Sequence, residues 1–313
     1  MRLRAISAAR VSIAIILLVC LQSGASDNSA QTKEGSASGT PVPYGQPKEL
    51  CLVKDAQINE SSGIAASILN KGAFWTHNDS GDSARIFLFN TTGETLAVVQ
   101  LKGVTAVDWE DLASFKIGEE AYVLIGDFGD NARMRKNTAL YIIREPAVAV
   151  QSDAKEALKL EVEPLVTIHF SYEDGPHDCE AVAVDPAEST VYLVSKEISE
   201  PRVYSLPISL KDTKQSGVAK AVAPVTLPYA TAMDISPDGM RAVVLTYLDA
   251  YEFARTGSET WAQAFSRVPR MIKMPTRKQG ESICYGPDGK TLYLTSEGVS
   301  QPLWEVPVIE NSR

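Results

Sequence analysis

The sequence is poor in the residues that most often carry catalysis or metal binding through nitrogen and sulfur. Its 313 residues include 3 His and 4 Cys, and none has the spacing of a zinc site. It lacks a Gly-x-Ser-x-Gly nucleophile turn, a phosphate-binding Gly-rich loop and a dinucleotide fingerprint. Basic residues are in the minority, with 30 Lys and Arg against 39 Asp and Glu. These absences exclude the common hydrolase and nucleotide-binding templates, and we expect no nucleic-acid partner.

Long apolar runs are also absent, with one exception near the N-terminus. Residues 1–25 combine three Arg with an apolar run over 11–21 and small residues at 23–25, which is typical of a secretory signal. The run is shorter than the ~20 residues of a spanning helix, so we expect no transmembrane span in the mature chain. We predict a secreted or periplasmic protein and a monomer. Cys20 leaves a lipoprotein anchor open, because LLVC at 17–20 loosely resembles a lipoprotein box.

Residues 26–48 are rich in Ser, Gly, Thr, Pro and Gln and have almost no large apolar side chains. Such a segment buries too little surface to offset its ordering entropy, and we predict a flexible linker. Residues 49–313 then form a single domain. This domain contains Cys51, Cys179 and Cys284, an odd number, so at least one is free or pairs between chains. Each lies in a strand-like stretch, and we expect buried small hydrophobes.

What the sequence has in abundance is a repeat of short strands. Five segments begin beside an acid, run through small and apolar residues and end at a turn, namely 61–67, 110–115, 180–185, 232–237 and 281–287. Further strand-like runs follow each segment, and the run at 50–54 can supply the fourth strand that the last unit lacks. This pattern predicts an all-β chain, a β-propeller of five blades closed by an N-terminal strand. Six blades are the alternative if the polar insertion 147–163, expected to be a surface excursion, contains strands.

Acidic residues recur at the start of the first strand of each unit and in the loop after the second strand. In a propeller both places lie at the same mouth of the central channel. The predicted ring at this mouth is Glu60, Glu110, Glu180, Asp234 and Glu281. The loop acids Asp127 and Glu297 follow the first-strand acids of their units by 17 and 16 residues. Asp108, Asp111 and Asp178 flank the first strands.

So many carboxylates at one mouth repel one another unless they are protonated, paired with basic groups or bound to a cation. Oxygen ligands without thiols favour Ca²⁺, with Mg²⁺ as the second choice. The predicted metal ligands are Glu60, Glu110, Asp127, Glu180, Glu281 and Glu297. The alternative is structural: the acids hydrogen-bond neighbouring blades and no metal is present.

The polar loops also contain residues suited to catalysis. His77 or Asp79 could orient a water molecule, and Arg85 or Arg133 could hold an anionic group. We therefore predict a metal-dependent hydrolase of phosphorylated or other anionic small molecules. The alternative is a non-catalytic propeller that binds a surface protein or a glycan, with Ca²⁺ structural or absent.

Several stretches carry a resemblance to known proteins, most distinctively WTHNDSGDSARIFLFN and GDFGDNARMRKN, with DWEDLAS, HDCEAVAVDP and GESICYGPDGKTLYLTSEG. Over about 57–307 the chain resembles a family of exported bacterial propeller proteins, which implies the fold and export but no particular reaction. The later stretches resemble, more loosely, the group with esterase-like activity of phytase. The acid-lined five-blade pattern is similar to calcium-activated nucleotidases (apyrases), which implies a central Ca²⁺ and phosphoanhydride hydrolysis. No catalytic residue is carried over from these groups.

Overall fold

The computed structural model describes residues 42–149 and 156–309, and nearly all regular structure there is β-strand. Strand β1 (Lys48–Leu52) is followed by unit 1, which consists of β2 (Ser61–Ala66), β3 (Ala73–Asn78), β4 (Arg85–Asn90) and β5 (Thr95–Leu101). Unit 2 consists of β6 (Trp109–Ile117), β7 (Glu120–Asp127), β8 (Thr138–Arg144) and, after β9 (Leu158–Val162), β10 (Val166–Tyr172). Unit 3 consists of β11 (Cys179–Asp185), β12 (Thr190–Ser195), β13 (Arg202–Pro207) and β14 (Lys214–Pro224).

Unit 4 consists of β15 (Ala230–Ile235), β16 (Arg241–Thr246), β17 (Ala250–Ala254) and β18 (Arg270–Ile272), with the short helix α1 (Trp261–Phe265) before its last strand. Unit 5 consists of β19 (Gly280–Tyr285), β20 (Leu292–Ser296), β21 (Pro302–Val306) and β1. Within each unit the strands pair antiparallel in this order. The innermost strands β2, β6, β11, β15 and β19 are neighbours around a ring, in which β19 returns to β2.

The ring is closed by the N-terminal strand. Strand β1 pairs antiparallel with β21, with Lys48 opposite Glu305 and Leu52 opposite Pro302. This confirms the predicted propeller and its closure by the start of the domain. The insertion at 147–163 contains one described strand, β9, which pairs parallel with β5 and extends unit 1 outward. A second parallel pair, β10 with β14, joins the outer edges of units 2 and 3.

Strand alternation explains how the units pack. Successive side chains of a strand point to opposite faces, so one strand contributes to two cores. In β11, Val182 and Val184 pack toward unit 2, whereas Ala181 and Ala183 pack toward unit 4. Five apolar clusters form in this way, one between each neighbouring pair of units. Burying each Val or Leu contributes about 1.5–3 kcal/mol. Because a cluster lies between each pair of units, this stabilisation is distributed around the whole ring.

The predicted Pro-Asp-Gly turns lie where the first strand meets the second. Gly239 and Gly289 have φ of 67° and 65°, and their N–H groups donate to Ser236 O at 2.7 Å and Gly286 O at 2.8 Å. Positive φ is accessible to Gly without steric cost, which is why these positions carry it. The turns lie at the end of the ring opposite the predicted mouth.

The predictions for the N-terminal segment concern mostly residues that are not described. The predicted signal at 1–25, with Cys20, and residues 26–41 of the predicted linker are not described. Within 42–48, the Tyr44 hydroxyl donates to Glu252 at 2.6 Å and the Gly45 N–H donates to Pro307 O at 2.7 Å. Cys179 and Cys284 are buried free thiols, and Cys51 is a half-buried one. Across the described residues, no helix combines the length and apolarity needed to cross a membrane.

Candidate functional site

A β-bulge occurs near the start of every innermost strand. In each unit the first strand carries one residue more than its partner between two matched pairs, as between Cys179–Ser195 and Ala181–Val194. A bulge leaves the extra residue outside the ladder and re-aims its side chain. The residues at this position around the ring are Ser62, Glu110, Glu180, Thr231 and Glu281. We call the end of the ring where these strands begin the mouth.

The bulges change two members of the predicted acid ring. Glu60 lies before β2 and is exposed, and the bulge position of that unit is Ser62. Asp234 lies three residues beyond Thr231, the bulge position of unit 4. The sequence repeats were aligned by their acidic residues, whereas in the structure the equivalent positions of the five units are the bulge residues. Glu110, Glu180 and Glu281 remain at equivalent positions.

Asp111 and Asp234 instead link neighbouring units. Asp111 is fully buried and accepts the N–H groups of Leu112 at 2.8 Å, Val182 at 3.0 Å and Met233 at 3.0 Å. Asp234 accepts the N–H groups of Ile235 and Tyr285, both at 2.8 Å. Burial raises the pKa of Asp234 to about 7, against the opposing effect of these two donors. Asp111 and Asp234 therefore follow the alternative prediction, in which the acids hydrogen-bond neighbouring units.

A compact carboxylate cluster lies at the mouth between units 1 and 2. Asp79, at the end of β3, and Asp108 and Glu110, at the start of β6, each place an oxygen within 4.8 Å of the others. Glu110 is 3% exposed, and Asp79 and Asp108 are half-buried. Gly129 lies directly against the cluster, because a Cβ there would come 2.1 Å from Glu110 Oε1. We call Asp79, Asp108 and Glu110 the acidic triad.

Asp127, predicted as a ligand, lies beside this cluster and holds the backbone that carries Asp108. Its carboxylate accepts the N–H groups of Val107 and Asp108, each at 3.2 Å, and the Arg135 guanidinium at 2.7 Å. These bonds fix the chain that leads into β6. Asp127 is 1% exposed and its oxygens are occupied by donors. It therefore positions Asp108, and the structure does not bring it into the triad.

The other predicted ligands surround the triad. Glu180 forms an ion pair with Lys196 through Oε1, while its buried Oε2 has no hydrogen-bond partner among the described residues. Glu281 is 3% exposed and accepts Gln279 Nε2 at 2.8 Å. Glu297 is half-buried. Four of the acids at the mouth share one basic neighbour, the Lys196 ammonium, and they are Glu110, Glu180, Glu281 and Glu297.

The pKa values of these acids reflect both burial and crowding. Burial, followed by the charge of Asp79, raises the pKa of Asp108 to about 6. Burial raises the pKa of Glu281 to about 7, and Lys196 opposes this shift. The pKa of Glu110 lies well above its usual range, through burial and then the charge of Glu180. These carboxyl groups hold protons more tightly than free acids, as expected where negative charges share a poorly solvated site.

Of the two residues predicted to orient a water molecule, His77 and Asp79, only Asp79 lies at the mouth. His77 is fully buried; its Nδ1 lies 2.9 Å from Asn78 O and its ring meets Trp109 edge-on. Burial lowers the pKa of His77. It therefore packs between units 1 and 2 and has no surface to offer a substrate. Of this set, Asp79 alone joins the triad.

The two arginines lie at the edge of the mouth. Arg85 Nε donates to Asp82 at 3.0 Å, and Arg85 lines a cavity of about 340 Å³ with Glu60, Asn78 and other polar residues. Arg133 is exposed, has a φ of 52° and lies 3.7 Å from Glu197. The sequence had no signal that Gly129 lies against Glu110 and Asp108. Asp108 was predicted to flank the first strand of its unit, and its approach to Asp79 was not predicted.

Comparisons with known proteins give structural likeness only. No protein-family profile matches the chain, and no curated protein matches it in sequence. Similar solved structures are β-propeller-like. A chain of a nidogen–laminin complex is 10% identical, over 76% of this chain and 73% of that one, with a TM-score of 0.42.

Two enzymes are among the other similar structures. A gluconolactonase from Xanthomonas campestris is 12% identical, over 87% of this chain and 96% of that one, with a TM-score of 0.46. An aldose sugar dehydrogenase from Streptomyces coelicolor, with PQQ bound, is 11% identical, over 86% and 99%, with a TM-score of 0.44. Likeness at this level carries no argument about function.

Proposed function

We propose that the acidic triad binds a divalent cation and that this site serves the hydrolysis of phosphorylated or other anionic small molecules. The observation that carries the proposal is the approach of three carboxylate oxygens within 4.8 Å of one another. None of the three side chains forms a salt bridge with a residue that the structure describes. Such proximity is unfavourable for ionised groups unless a positive charge lies between them.

The residues present suit a hard cation. All three candidate ligands are carboxylates, the oxygen donors that Ca²⁺ prefers, and Mg²⁺ is the second choice. Gly129 leaves room that any larger residue would fill, since its Cβ would overlap Glu110 and come 2.7 Å from Asp108. The buried Oε2 of Glu180 has no hydrogen-bond donor among the described residues, so a nearby cation would also stabilise this carboxylate.

The chain's own residues have separate roles in this proposal. Asp127 and Arg135 hold the strand entry that carries Asp108, and Lys196 keeps positive charge beside Glu180 for an anionic substrate group. Asp79, which is half-buried and lies in the loop after β3, orients the attacking water and accepts its proton. A bound cation would offset carboxylate repulsion and polarise the substrate's oxygen. Arg85 lies beside the neighbouring cavity, where it can contact the rest of an anionic substrate.

The resemblance of the sequence to the esterase-like phytase group and to calcium-activated nucleotidases agrees with this reaction class. The export signal at 1–25 and a secreted or periplasmic location belong to the same proposal. So does the predicted flexible linker over 26–48, of which 26–41 lie outside the described residues.

The proposal is tested by calorimetric titration of the purified protein with Ca²⁺ and then Mg²⁺. Asp108→Asn removes one charged ligand from the triad, and we expect it to weaken cation affinity at least tenfold. Glu119→Gln is the matched control, because its side chain is 97% exposed and lies on the turn at the opposite end of the ring. Turnover of phosphate monoesters and pyrophosphate should fall with cation affinity. Equal affinity in wild type and Asp108→Asn would contradict the site.

One observation favours the alternative, a non-catalytic binding protein. Loops at the mouth expose apolar side chains, including Leu248 at 77%, Met134 at 76% and Ile198 at 69%. Exposed apolar residues around one face are typical of interaction surfaces. Cation binding without turnover of any phosphate ester or anhydride would favour this alternative over the hydrolase.

A further inference from the structure

A pair of tyrosines lies at the mouth, on the side of unit 4. Tyr229 immediately precedes β15 and Tyr247 immediately follows β16, so both belong to the end of the ring that carries the acids. Their ring centroids are 5.8 Å apart, with 38° between the ring planes. Tyr229 is 40% exposed, and the adjoining Leu248 extends the apolar surface.

The pair adjoins the charged centre of the mouth through Lys196. The Lys196 ammonium lies 4.9 Å from the centroid of the Tyr247 ring, and the same ammonium pairs with Glu180. An aromatic face, a fixed positive charge and the ring of carboxylates therefore follow one another across a short distance. Because Lys196 lies over the Tyr247 ring, the exposed Tyr229 ring is the part of the pair that a ligand with an anionic group at the centre can cover.

The backbone of Tyr229 is a second, independent feature. Its φ of 61° is in the left-handed region, which bulky side chains rarely adopt. Strained backbone of this kind concentrates at functional sites, where it aims a side chain that a relaxed backbone would not. Here it presents an aromatic ring at the mouth, in a position where glycine would be unstrained.

We propose that Tyr229, supported by the neighbouring Tyr247, forms a stacking surface for a planar ring carried by the anionic substrate. This inference rests on the proposed function, because it places the anionic group at the acid-lined, cation-binding centre. It narrows the substrate class from any small anion to aryl-bearing phosphate esters. Stacking on an aromatic side chain tolerates many ring types and contributes a measurable part of binding.

The test compares phenylphosphonate with methylphosphonate, by calorimetric titration in saturating Ca²⁺. These analogues of the phosphate esters cannot be hydrolysed during the titration. They share the anionic group and differ in the ring, so their affinity ratio isolates stacking. We expect wild type to bind phenylphosphonate at least tenfold more tightly, and Tyr229→Gly to reduce this ratio to below threefold. Tyr229→Gly suits the left-handed backbone, so the fold should be kept. Tyr247→Leu, which keeps apolar bulk, should also reduce the ratio.

A ratio near one in wild type, or a ratio unchanged in both variants, would overturn the stacking surface. So would failure of both phosphonates to bind. Asp108→Asn separates this inference from the proposed function, because loss of the cation should weaken both affinities alike and keep their ratio. If Asp108→Asn leaves both affinities unchanged while the ratio depends on Tyr229, the acidic triad is not the cation site, and the stacking surface is supported.

Discussion

Glu110 and Asp111 are adjacent in the sequence, nearly equally buried, and opposite in environment. Asp111 accepts three backbone N–H groups from three innermost strands, at 2.8–3.0 Å. Glu110 accepts one hydroxyl, that of Ser62, at 3.4 Å, and otherwise faces other carboxylates. The same contrast separates Asp234, held by two N–H groups, from Glu281 in the next unit. Burial alone therefore does not mark a functional acid.

The difference lies in what surrounds the charge. Backbone N–H groups from neighbouring units solvate Asp111 and in return fix the units to one another. The bulge turns Glu110 away from those donors and toward the mouth, where Glu180, Asp79 and Asp108 raise its pKa further than burial alone. An acid satisfied by donors stabilises the fold, whereas an acid crowded by acids is suited to bind a cation.

The largest effect should come from removing a structural acid. Asp111→Ala leaves three buried N–H groups without acceptors, and each costs about 1–3 kcal/mol. We expect the free energy of unfolding to fall by about 3–6 kcal/mol, measured by urea denaturation. Asp234→Ala leaves two N–H groups without acceptors, and it should lower the free energy of unfolding by less. If Asp111→Ala is no less stable than Glu110→Gln, the division between the two kinds of acid is wrong.

The next effect concerns the ammonium group at the mouth. Lys196→Met leaves Glu180 buried without its cation, and breaking a buried pair in this way costs about 3–5 kcal/mol. The double variant Lys196→Met with Glu180→Gln removes both charges and should recover most of the loss. Thermal denaturation of the three proteins at one pH measures this. A double variant as unstable as Lys196→Met would show that Lys196 acts through packing.

A smaller effect is expected from pH in the absence of metal. Asp108 and Glu281 have folded-state pKa values of about 6 and about 7, above those of the unfolded chain. Between pH 4.5 and 7, roughly, the folded protein binds more protons than the unfolded one, so its stability falls as pH rises. Because Asp108 is half-buried and solvent screens part of its interactions, we expect a loss of no more than about 1–3 kcal/mol from pH 5 to pH 8 in chelator.

Glu281→Gln removes the ionisable group at this position. It should reduce the loss of stability between pH 5 and pH 8 while leaving the stability at pH 5 nearly unchanged. Denaturation at several pH values compares this slope with that of wild type. A stability that rises from pH 5 to pH 8, or a slope that Glu281→Gln does not change, would contradict the crowded-acid account.

Local chemistry made much of the fold predictable. Short alternating runs and Pro-Asp-Gly turns such as 236–239 indicate antiparallel strands, and the unpaired run at 50–54 indicated ring closure by β1. Register was less accessible, because a bulge is one extra residue whose effect depends on the partner strand. Thus Glu60 and Asp234 matched the repeat by residue type, while Ser62 and Thr231 match it by position.

The site was predictable as a region and less so residue by residue. The recurrence of acids placed Glu110, Glu180 and Glu281 at one mouth, and the polar loop after β3 supplied Asp79. Sequence spacing could not show that Asp127 is occupied by N–H donors, since these bonds depend on the path of the chain before β6. Nor could it show that His77 packs against Trp109 across two units.

A thermal melt in chelator, with Ca²⁺ titrated back at pH 8, tests the central claim most directly. A ligand that binds only the folded state stabilises it by about 2.7 kcal/mol at 100 times its Kd. We predict a saturable rise in Tm for wild type and for Glu119→Gln, and a rise that needs at least tenfold more Ca²⁺ for Glu110→Gln. No rise in wild type with Ca²⁺ or Mg²⁺, or the same titration in Glu110→Gln, would contradict a cation site in the acidic triad.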